Sequence, residues 1–109
     1  MDDKCLWEIL IPCSWSDGVW IDIAVHEKWD KRCREISTGL TILRSVKGVW
    51  EDDSQEYVER MIPVRLVATR DDIMALVKFT KEFYKQAAIM CYKLSDDVIL
   101  YRGTNDKNN

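Results

Sequence analysis

Apolar and polar side chains alternate along two stretches of the chain, residues 39–50 and 57–69, which flank a polar segment at 51–56. A two-residue period is typical of β-strands, because successive side chains of a strand point to opposite faces of a sheet. The pattern therefore predicts a β-hairpin with an acidic tip. Pro63 has no N–H to donate, so we expect it at a sheet edge or at a bulge.

The same alternation predicts which side chains share a face of the hairpin. In the second strand, one face carries Val58, Ile62, Val64, Leu66 and Ala68, and the other carries Tyr57, Glu59, Met61, Arg65 and Val67. In the first strand, the two faces are Leu40, Ile42, Val46 and Trp50, and Thr41, Leu43, Ser45, Lys47 and Val49.

Residues 23–38 and the stretch after Thr69 carry apolar side chains three or four positions apart, which is the period of an amphipathic helix. Asp22 is a suitable N-cap for the first helix, and Gly39 is expected to end it through a left-handed turn. Thr69 is the expected cap of the second helix, whose first turn is acidic. We predict two helices that lie on a sheet.

Residues 6–13 and 88–94 predict buried strands, and residues 98–101 predict a further short strand. The order strand, helix, strand, strand, helix, strand is that of the ferredoxin-like split βαβ fold. In this α+β fold both helices lie on one face of an antiparallel sheet. The length of 109 residues suits one domain, which we place at 1–102, followed by a flexible polar tail at 103–109.

The face without helices, called the open face below, is also predicted to be apolar, with Leu43, Val49, Met61 and Val67 on it. Such a surface is unfavourable in water. We therefore predict a homo-oligomer, a dimer or larger, that packs through the open face. Charged residues are predicted on this face as well: Glu8 or its neighbours, Lys47, Glu59, Arg65 and Lys93. Arg60 is predicted on the alternate face.

Charge and composition exclude several classes of protein. The 16 basic residues are dispersed among 19 acidic ones, whereas nucleic-acid binding favours a concentrated basic face. We therefore predict no nucleic-acid partner. The four cysteines form no C-x-x-C pair and the four glycines no phosphate-binding loop, so we predict reduced thiols and no metal or cofactor. Neither a signal peptide nor a membrane-spanning run is present, so we expect no membrane partner and a cytoplasmic protein.

Short motifs follow one another in a fixed order: GLT at 39–41, GxW at 48–50, the acidic tip, and a helix that ends near Tyr84 and Gln86. This series resembles small ferredoxin-like proteins of prokaryotes and phages that share the GLT and GxW pattern. Their Arg-Glu pair has the inverted order Glu-Arg here, at 59–60. The resemblance implies the same fold and a bacterial or phage source, and the family has no settled activity.

Aromatic side chains and the single histidine are candidates for a site. Trp15, Trp20 and Trp50 could hold a planar ligand, or they could anchor loops and subunit contacts. His26 is a candidate general base. Asp30 and Cys33 follow it at helical spacing, but they belong to different sides of the helix, so a surface histidine is the simpler interpretation.

Arg65 is the candidate that we single out, because a charge on an otherwise apolar sheet face is costly unless it is paired or binds something. It could form an ion pair with Glu59 of the same face across a dimer interface. It could instead bind a carboxylate or phosphate in a cleft between subunits, because the guanidinium fork suits planar anions.

Two classes of function remain open. The first is a non-enzymatic binding protein, an oligomer that captures a small anionic ligand or a protein partner. A phage protein of this kind could be a counter-defence protein that sequesters a host signal or inhibits a host effector. The second is a small dimeric α+β barrel enzyme that acts on a small organic substrate. We favour the first, because no acid–base pair or nucleophile stands out. The predicted binding residues are Arg65, Arg60, Glu59, Trp15, Trp20, Trp50, His26 and Tyr84.

Overall fold

The computed structural model describes residues 3–37, 39–101 and 103. It confirms the predicted ferredoxin-like α+β class, with two helices on one face of a five-stranded antiparallel sheet. The elements in chain order are β1 (Cys5–Pro12), α1 (Ile23–Ile36), β2 (Leu40–Ile42), β3 (Val46–Asp52), β4 (Gln55–Ala68), α2 (Arg70–Phe83) and β5 (Cys91–Ser95).

Strands β4 and β1 form the centre of the sheet. On one side β4 pairs with β1, and on the other it pairs with β2 and then β3, while β5 pairs with the far side of β1. The strand predicted at residues 6–13 therefore lies in the middle of the sheet, as expected for a buried strand. The register places Ile9 opposite Val64 and Glu8 opposite Arg65, so side chains of odd number in β1 share a face with side chains of even number in β4.

The core lies between the helices and the sheet face formed by these alternate residues. Each fully buried Leu or Ile side chain in it stabilises the fold by about 1.5–3 kcal/mol. The main contributors are Trp7, Ile9 and Ile11 of β1, Val64, Leu66 and Ala68 of β4, Trp29 and Cys33 of α1, and Ile73 and Leu76 of α2.

Both helices begin at the predicted caps. The Asp22 carboxylate accepts a hydrogen bond from the N–H of Ala24 at 3.1 Å, and the Thr69 hydroxyl accepts one from Asp72 at 3.1 Å. The predicted end of α1 was wrong. The helix ends at Ile36, its cap Ser37 has an extended backbone, and Gly39 does not have the positive φ of a left-handed turn. Thr38 lies outside the described residues.

The first strand of the predicted hairpin is divided into β2 and β3 by a bulge at residues 43–45. Leu40 lies opposite Leu66 and Val46 opposite Met61, so six steps along this side match five along β4. The one extra residue reverses the faces of everything that follows it. Pro63 lies opposite this bulge and accepts a hydrogen bond from the N–H of Leu43 at 2.9 Å, which confirms the prediction for Pro63.

The bulge corrects the predicted faces of β3. Val46, Gly48 and Trp50 share the open face with their partners Met61, Glu59 and Tyr57. The placement of Lys47 and Val49 on the open face was therefore wrong. Lys93 lies opposite the core residue Trp7, so its predicted place on the open face was wrong as well.

The end of the chain also differs from the prediction. Residues 88–90 precede β5 instead of forming part of it, and residues 98–101 form no strand. The side chains of Ile99 and Tyr101 are 84% and 87% exposed. Of the predicted tail at 103–109, only Gly103 is described, so the division into domain and tail stays a prediction. In the described part of the chain, no helix combines the length and the apolar composition needed to cross a membrane.

Residues 46–60, called the arm below, extend β3 and β4 beyond the rest of the sheet. Every side chain from 49 to 60 is exposed, and the molecule measures 54 × 29 × 22 Å. Asp53 and Ser54 form the tip with φ values of 51° and 67°, which is typical of the two-residue turns that close twisted hairpins. A two-stranded ribbon with no covering layer is only marginally stable in water.

Candidate ligand-binding site on the open sheet face

A cleft of about 570 Å³ lies on the open face, between the arm and the segment that joins α2 to β5. We call it the sheet-face cleft. It is lined by Leu10, Pro12, Trp50, Asp52, Tyr57, Glu59, Met61 and residues 86–90.

The floor of the sheet-face cleft is built by β1 and β4. Leu10, Pro12 and Met61 lie on the open face, and Pro12 is directly opposite Met61. Met61 is 7% exposed, and its terminal methyl group lies where a β-carbon at position 48 would be. Gly48 therefore allows Met61 to extend across to β3 and form an apolar floor.

One wall of the cleft is the segment at residues 86–90. The chain leaves α2 through Lys85, whose φ is 54°, and the N–H of Gln86 donates to the carbonyl of Lys81 at 3.0 Å. The segment then joins β1, because the N–H of Leu10 donates to the carbonyl of Met90 at 3.0 Å. These hydrogen bonds fix the wall relative to the floor.

The opposite wall is the arm, which contributes both aromatic rings and both charges of the cleft. Trp50 and Tyr57 are paired across the strands and are 40% and 43% exposed. Among the described residues, Asp52 and Glu59 are the only carboxylate or basic side chains that line the cleft, so its charge is negative. Aromatic faces beside carboxylates suit a planar ligand that is uncharged or cationic.

A polar cluster lies on the same face, two residues from Leu10 along β1 and two residues from Pro63 along β4. Arg65 donates a hydrogen bond from Nε to Oε1 of Glu8 at 2.8 Å, and Tyr92 donates its hydroxyl hydrogen to the other oxygen of Glu8. Glu8 is 7% exposed, whereas the Arg65 side chain is 44% exposed. Arg65 therefore compensates a buried carboxylate and still presents part of its guanidinium to the open face.

Burial by itself raises the pKa of Glu8, but the hydrogen bonds from Tyr92 and Arg65 and the charge of Arg65 outweigh it, and the pKa is lowered. The hydrogen bond to Glu8 is also the main reason why the pKa of Tyr92 is raised. Glu8 thus remains a carboxylate and Tyr92 a phenol at neutral pH, and the cluster is a stable ion pair within one chain.

The other predicted binding residues are distributed over three places. Arg60 is on the alternate face, as predicted, and donates to the carbonyl and hydroxyl oxygens of Ser45 at 3.2 and 3.0 Å, so it fastens the bulge. Trp15 packs against the core, and Trp20 is 67% exposed on the helix side. Of the three tryptophans, only Trp50 lines the sheet-face cleft.

His26 and Tyr84 form a separate pair on the helix side. Nδ1 of His26 and the hydroxyl group of Tyr84 share a hydrogen bond of 2.7 Å. Tyr84 is fully buried among aromatic rings that include Trp15, Trp29 and Phe83. Burial raises the pKa of Tyr84 and lowers the pKa of His26, and the charge of Asp30 acts on His26 in the opposite direction.

A second cavity of about 360 Å³ reaches His26 and is lined mainly by apolar side chains, including Trp20, Ile23 and Leu43. Tyr84 does not line it.

Across residues 3–37, 39–101 and 103, no three His, Cys, Asp or Glu side chains are close enough together to hold a metal ion. All four cysteines are unpaired, and burial raises the pKa of Cys91 to about 11, so this thiol is protonated at neutral pH.

Sequence reasoning missed most of the residues that build the cleft. Tyr57 was predicted on the same face as Glu59, which was a usable signal, but it was not selected as a site residue. Asp52 was assigned to the polar tip of the hairpin and was not selected as a site residue. The wall at residues 86–90 could not be predicted, because the pattern was interpreted as a strand that begins at Ala88.

Comparisons with known proteins agree with the fold. No protein-family model matches the chain, and no curated protein matches it in sequence. Among solved structures, the divalent cation tolerance protein CutA1 of Thermus thermophilus superposes with a TM-score of 0.62 at 9% identity, over 96% of this chain and 91% of that one. The periplasmic divalent cation tolerance protein CutA of Archaeoglobus fulgidus gives a TM-score of 0.61 at 10% identity, over 95% and 90%.

A phage SAM lyase in complex with S-methyl-5'-thioadenosine is also similar in structure. It gives a TM-score of 0.63 at 16% identity and covers 88% of this chain and 84% of the lyase. Identities this low show a shared fold and leave activity open. The chain therefore has the architecture of the CutA proteins and of this lyase.

Proposed function

We propose that the protein is a non-enzymatic binding protein that assembles as a homo-oligomer through the open face and holds a small ligand in the sheet-face cleft. The observation that carries this proposal is the cleft itself. It combines an apolar floor, two half-exposed aromatic rings and two carboxylates on a face that neither of the described helices covers. Small-molecule sites in proteins typically have this mixture of apolar walls and a few polar groups.

The proposed ligand has a planar ring and is uncharged or cationic. The sequence favours an anionic ligand bound by Arg65 or Arg60, but Arg60 is on the other face and Arg65 does not line the sheet-face cleft. An anion in the cleft would meet Asp52 and Glu59 instead. The nucleoside thioether in the structurally similar phage SAM lyase has a planar base and no charge, so it is a suitable first probe.

Isothermal titration calorimetry with S-methyl-5'-thioadenosine and with adenosine monophosphate tests the proposal. The two compounds share the adenosine group and differ in the neutral or anionic substituent at the 5' position. We expect the thioether to bind and the phosphate to bind at least about tenfold more weakly, because the carboxylate of Asp52 repels it.

Variants of two tryptophans locate the site. Trp50→Ala is expected to weaken binding of S-methyl-5'-thioadenosine by about tenfold or more, because stacking of one base on an aromatic ring contributes about 1–3 kcal/mol. Trp20→Ala is the matched control, since Trp20 is more exposed and lies outside the cleft. Equal losses in the two variants, or tighter binding of the phosphate, would contradict the proposed site.

The biological role that we propose is phage counter-defence by sequestration of a host small molecule. It is supported by the small size of the chain, by its resemblance to phage proteins and by its structural similarity to a phage enzyme. A cytoplasmic location is part of this proposal, although the similar Archaeoglobus protein is described as periplasmic.

The second candidate function is the small α+β enzyme. The hydrogen bond between His26 and Tyr84 and the similarity to a SAM lyase favour it. Incubation with S-adenosylmethionine tests it, with release of S-methyl-5'-thioadenosine as the readout. Turnover that is lost in both His26→Ala and Tyr84→Phe would support this enzyme, and turnover unchanged in both would remove these residues from the chemistry.

A further inference from the structure

We infer that Arg65 of one copy of the chain pairs with Glu59 of a second copy, so that the partner completes the sheet-face cleft. This inference rests on the proposed function, because it assumes the oligomer that packs through the open face. It identifies the occupant of the open face as another copy of the same chain and names the charged contact that orients it.

Arg65 has bonding capacity that its own chain does not use. Its Nε is occupied by Glu8, and within the part of the chain that the structure describes its two Nη groups make no hydrogen bond. A guanidinium group has five donor hydrogens in a fixed fork, so it can serve Glu8 along one edge and a second carboxylate along another. With 44% of its side chain exposed, Arg65 is accessible to such a carboxylate.

Glu59 is the complementary group on the same face. It is exposed and has no ion-pair partner among the described residues. Glu59 and Arg65 both belong to β4 and are six residues apart, so they share a face but are separated by about 20 Å along the strand. They cannot meet within one chain, whereas Arg65 of a second copy can reach Glu59.

The surface between the two charges fits this contact. Met61 and Pro63 lie between them on β4, with Leu10 opposite Pro63, and these apolar side chains form a strip with a negative and a positive end. When two such strips face each other in opposite directions across the cleft, each negative end faces a positive end. Self-complementary patches of this type are the basis of symmetric subunit contacts.

The arm provides an independent reason for a second copy. It exposes Trp50 and Tyr57 on one face and Val49 and Val58 on the other, all between 40% and 54% exposed. No described element of the same chain covers either face of its outer part. The contact between Arg65 and Glu59 places the partner's sheet over the open side of the arm, beside the two rings that line the cleft.

Charge reversal at Glu59 tests the contact by sedimentation velocity at a series of protein concentrations. Glu59→Lys is expected to raise the dissociation constant of the assembly by at least about tenfold, because it replaces attraction by repulsion at a desolvated position. Glu56→Lys is the matched control, since it makes the same charge change on the same arm but on the opposite face. We expect it to change the dissociation constant by less than about threefold.

A second variant shows whether Arg65 is the group that Glu59 meets. Arg65→Lys keeps a cation beside Glu8, so the fold is retained, but a single ammonium group cannot serve two carboxylates in the same way. It should weaken assembly of the natural chain and cause no further loss when combined with Glu59→Lys.

The outcomes separate this inference from the proposed function. Assembly that responds equally to Glu59→Lys and Glu56→Lys would overturn the inference and leave the oligomer intact. A chain that is monomeric at every concentration would overturn both. Assembly that depends on Glu59, together with no binding of S-methyl-5'-thioadenosine, would support the inference and contradict only the proposed ligand.

Discussion

Gly48 determines whether Met61 can form the floor of the sheet-face cleft. A β-carbon at this position would collide with the terminal methyl group of Met61 and would approach the Trp50 ring to 3.1 Å. The Met61 side chain is flexible and can rotate away at modest cost. We expect it to rotate toward the cleft, on whose floor it lies.

We therefore predict that Gly48→Ala changes the free energy of unfolding by less than about 2 kcal/mol. It should nevertheless weaken ligand binding several-fold, because the displaced Met61 fills part of the cleft. Chemical denaturation and calorimetry with S-methyl-5'-thioadenosine measure the two effects. Gly39→Ala is the control, since no atom lies within 4 Å of the added β-carbon. Unchanged binding in Gly48→Ala would show that Met61 is not the floor of the binding site.

His26 gives the protein a predicted pH dependence. Burial lowers its pKa below 6.5, so near pH 6 the unfolded chain binds more protons at this residue than the folded chain does. Above the pKa of the unfolded chain, His26 is neutral in both states and its full contribution to stability is present. This contribution is lost as the pH falls toward the pKa of His26 in the folded chain.

The free energy of unfolding should accordingly decrease between about pH 7.5 and 5.5, and this decrease should be smaller in His26→Gln. Urea denaturation at several pH values provides the measurement, with Lys28→Gln as a control at an exposed position of the same helix. Identical pH profiles for the natural chain and His26→Gln would mean that His26 is hydrated and that its bond to Tyr84 does not restrict it.

At the scale of elements, the sequence predicted those features that a local pattern or a single side chain determines. Asp22 and Thr69 are caps because their side-chain oxygens accept backbone hydrogen bonds at the first turn, a local interaction that sequence shows directly. The faces of β4 were also predicted correctly, because this strand continues without interruption from Gln55 to Ala68.

The bulge at residues 43–45 limited the prediction of the site. A strand pattern contains no local signal for one extra residue, and the only indication was Pro63 on the neighbouring strand. Without the bulge, Trp50 was assigned to the face of Leu40 and Ile42. The extra residue transfers it to the open face beside Tyr57, and the aromatic wall of the cleft depends on this transfer.

Long-range contacts explain the other differences. The bond between Glu8 and Arg65 joins residues 57 positions apart, and the bond between His26 and Tyr84 joins residues 58 positions apart. Their partners could be chosen only when the strand order and register were known. Periodicity identified Arg65 as a charge that must be compensated, but it could not show that Glu8 and Tyr92 compensate it.

At the scale of the whole molecule, the described chain leaves several apolar surfaces without a partner. They include both faces of the arm and the segment at residues 98–101, where Leu100 is 76% exposed. Large apolar side chains exposed in this way are characteristic of interaction sites. These exposed surfaces support the proposed assembly, and the proposed assembly and the proposed ligand site depend on the same face.

Native mass spectrometry of the purified protein with S-methyl-5'-thioadenosine tests this dependence most directly. We expect an assembly whose mass is a multiple of the 12.8 kDa chain plus bound thioether. In Trp50→Ala the bound thioether should be lost, since Trp50 forms the aromatic wall of the cleft. A bare 12.8 kDa monomer for the natural chain would contradict both the assembly through the open face and the ligand site that it contains.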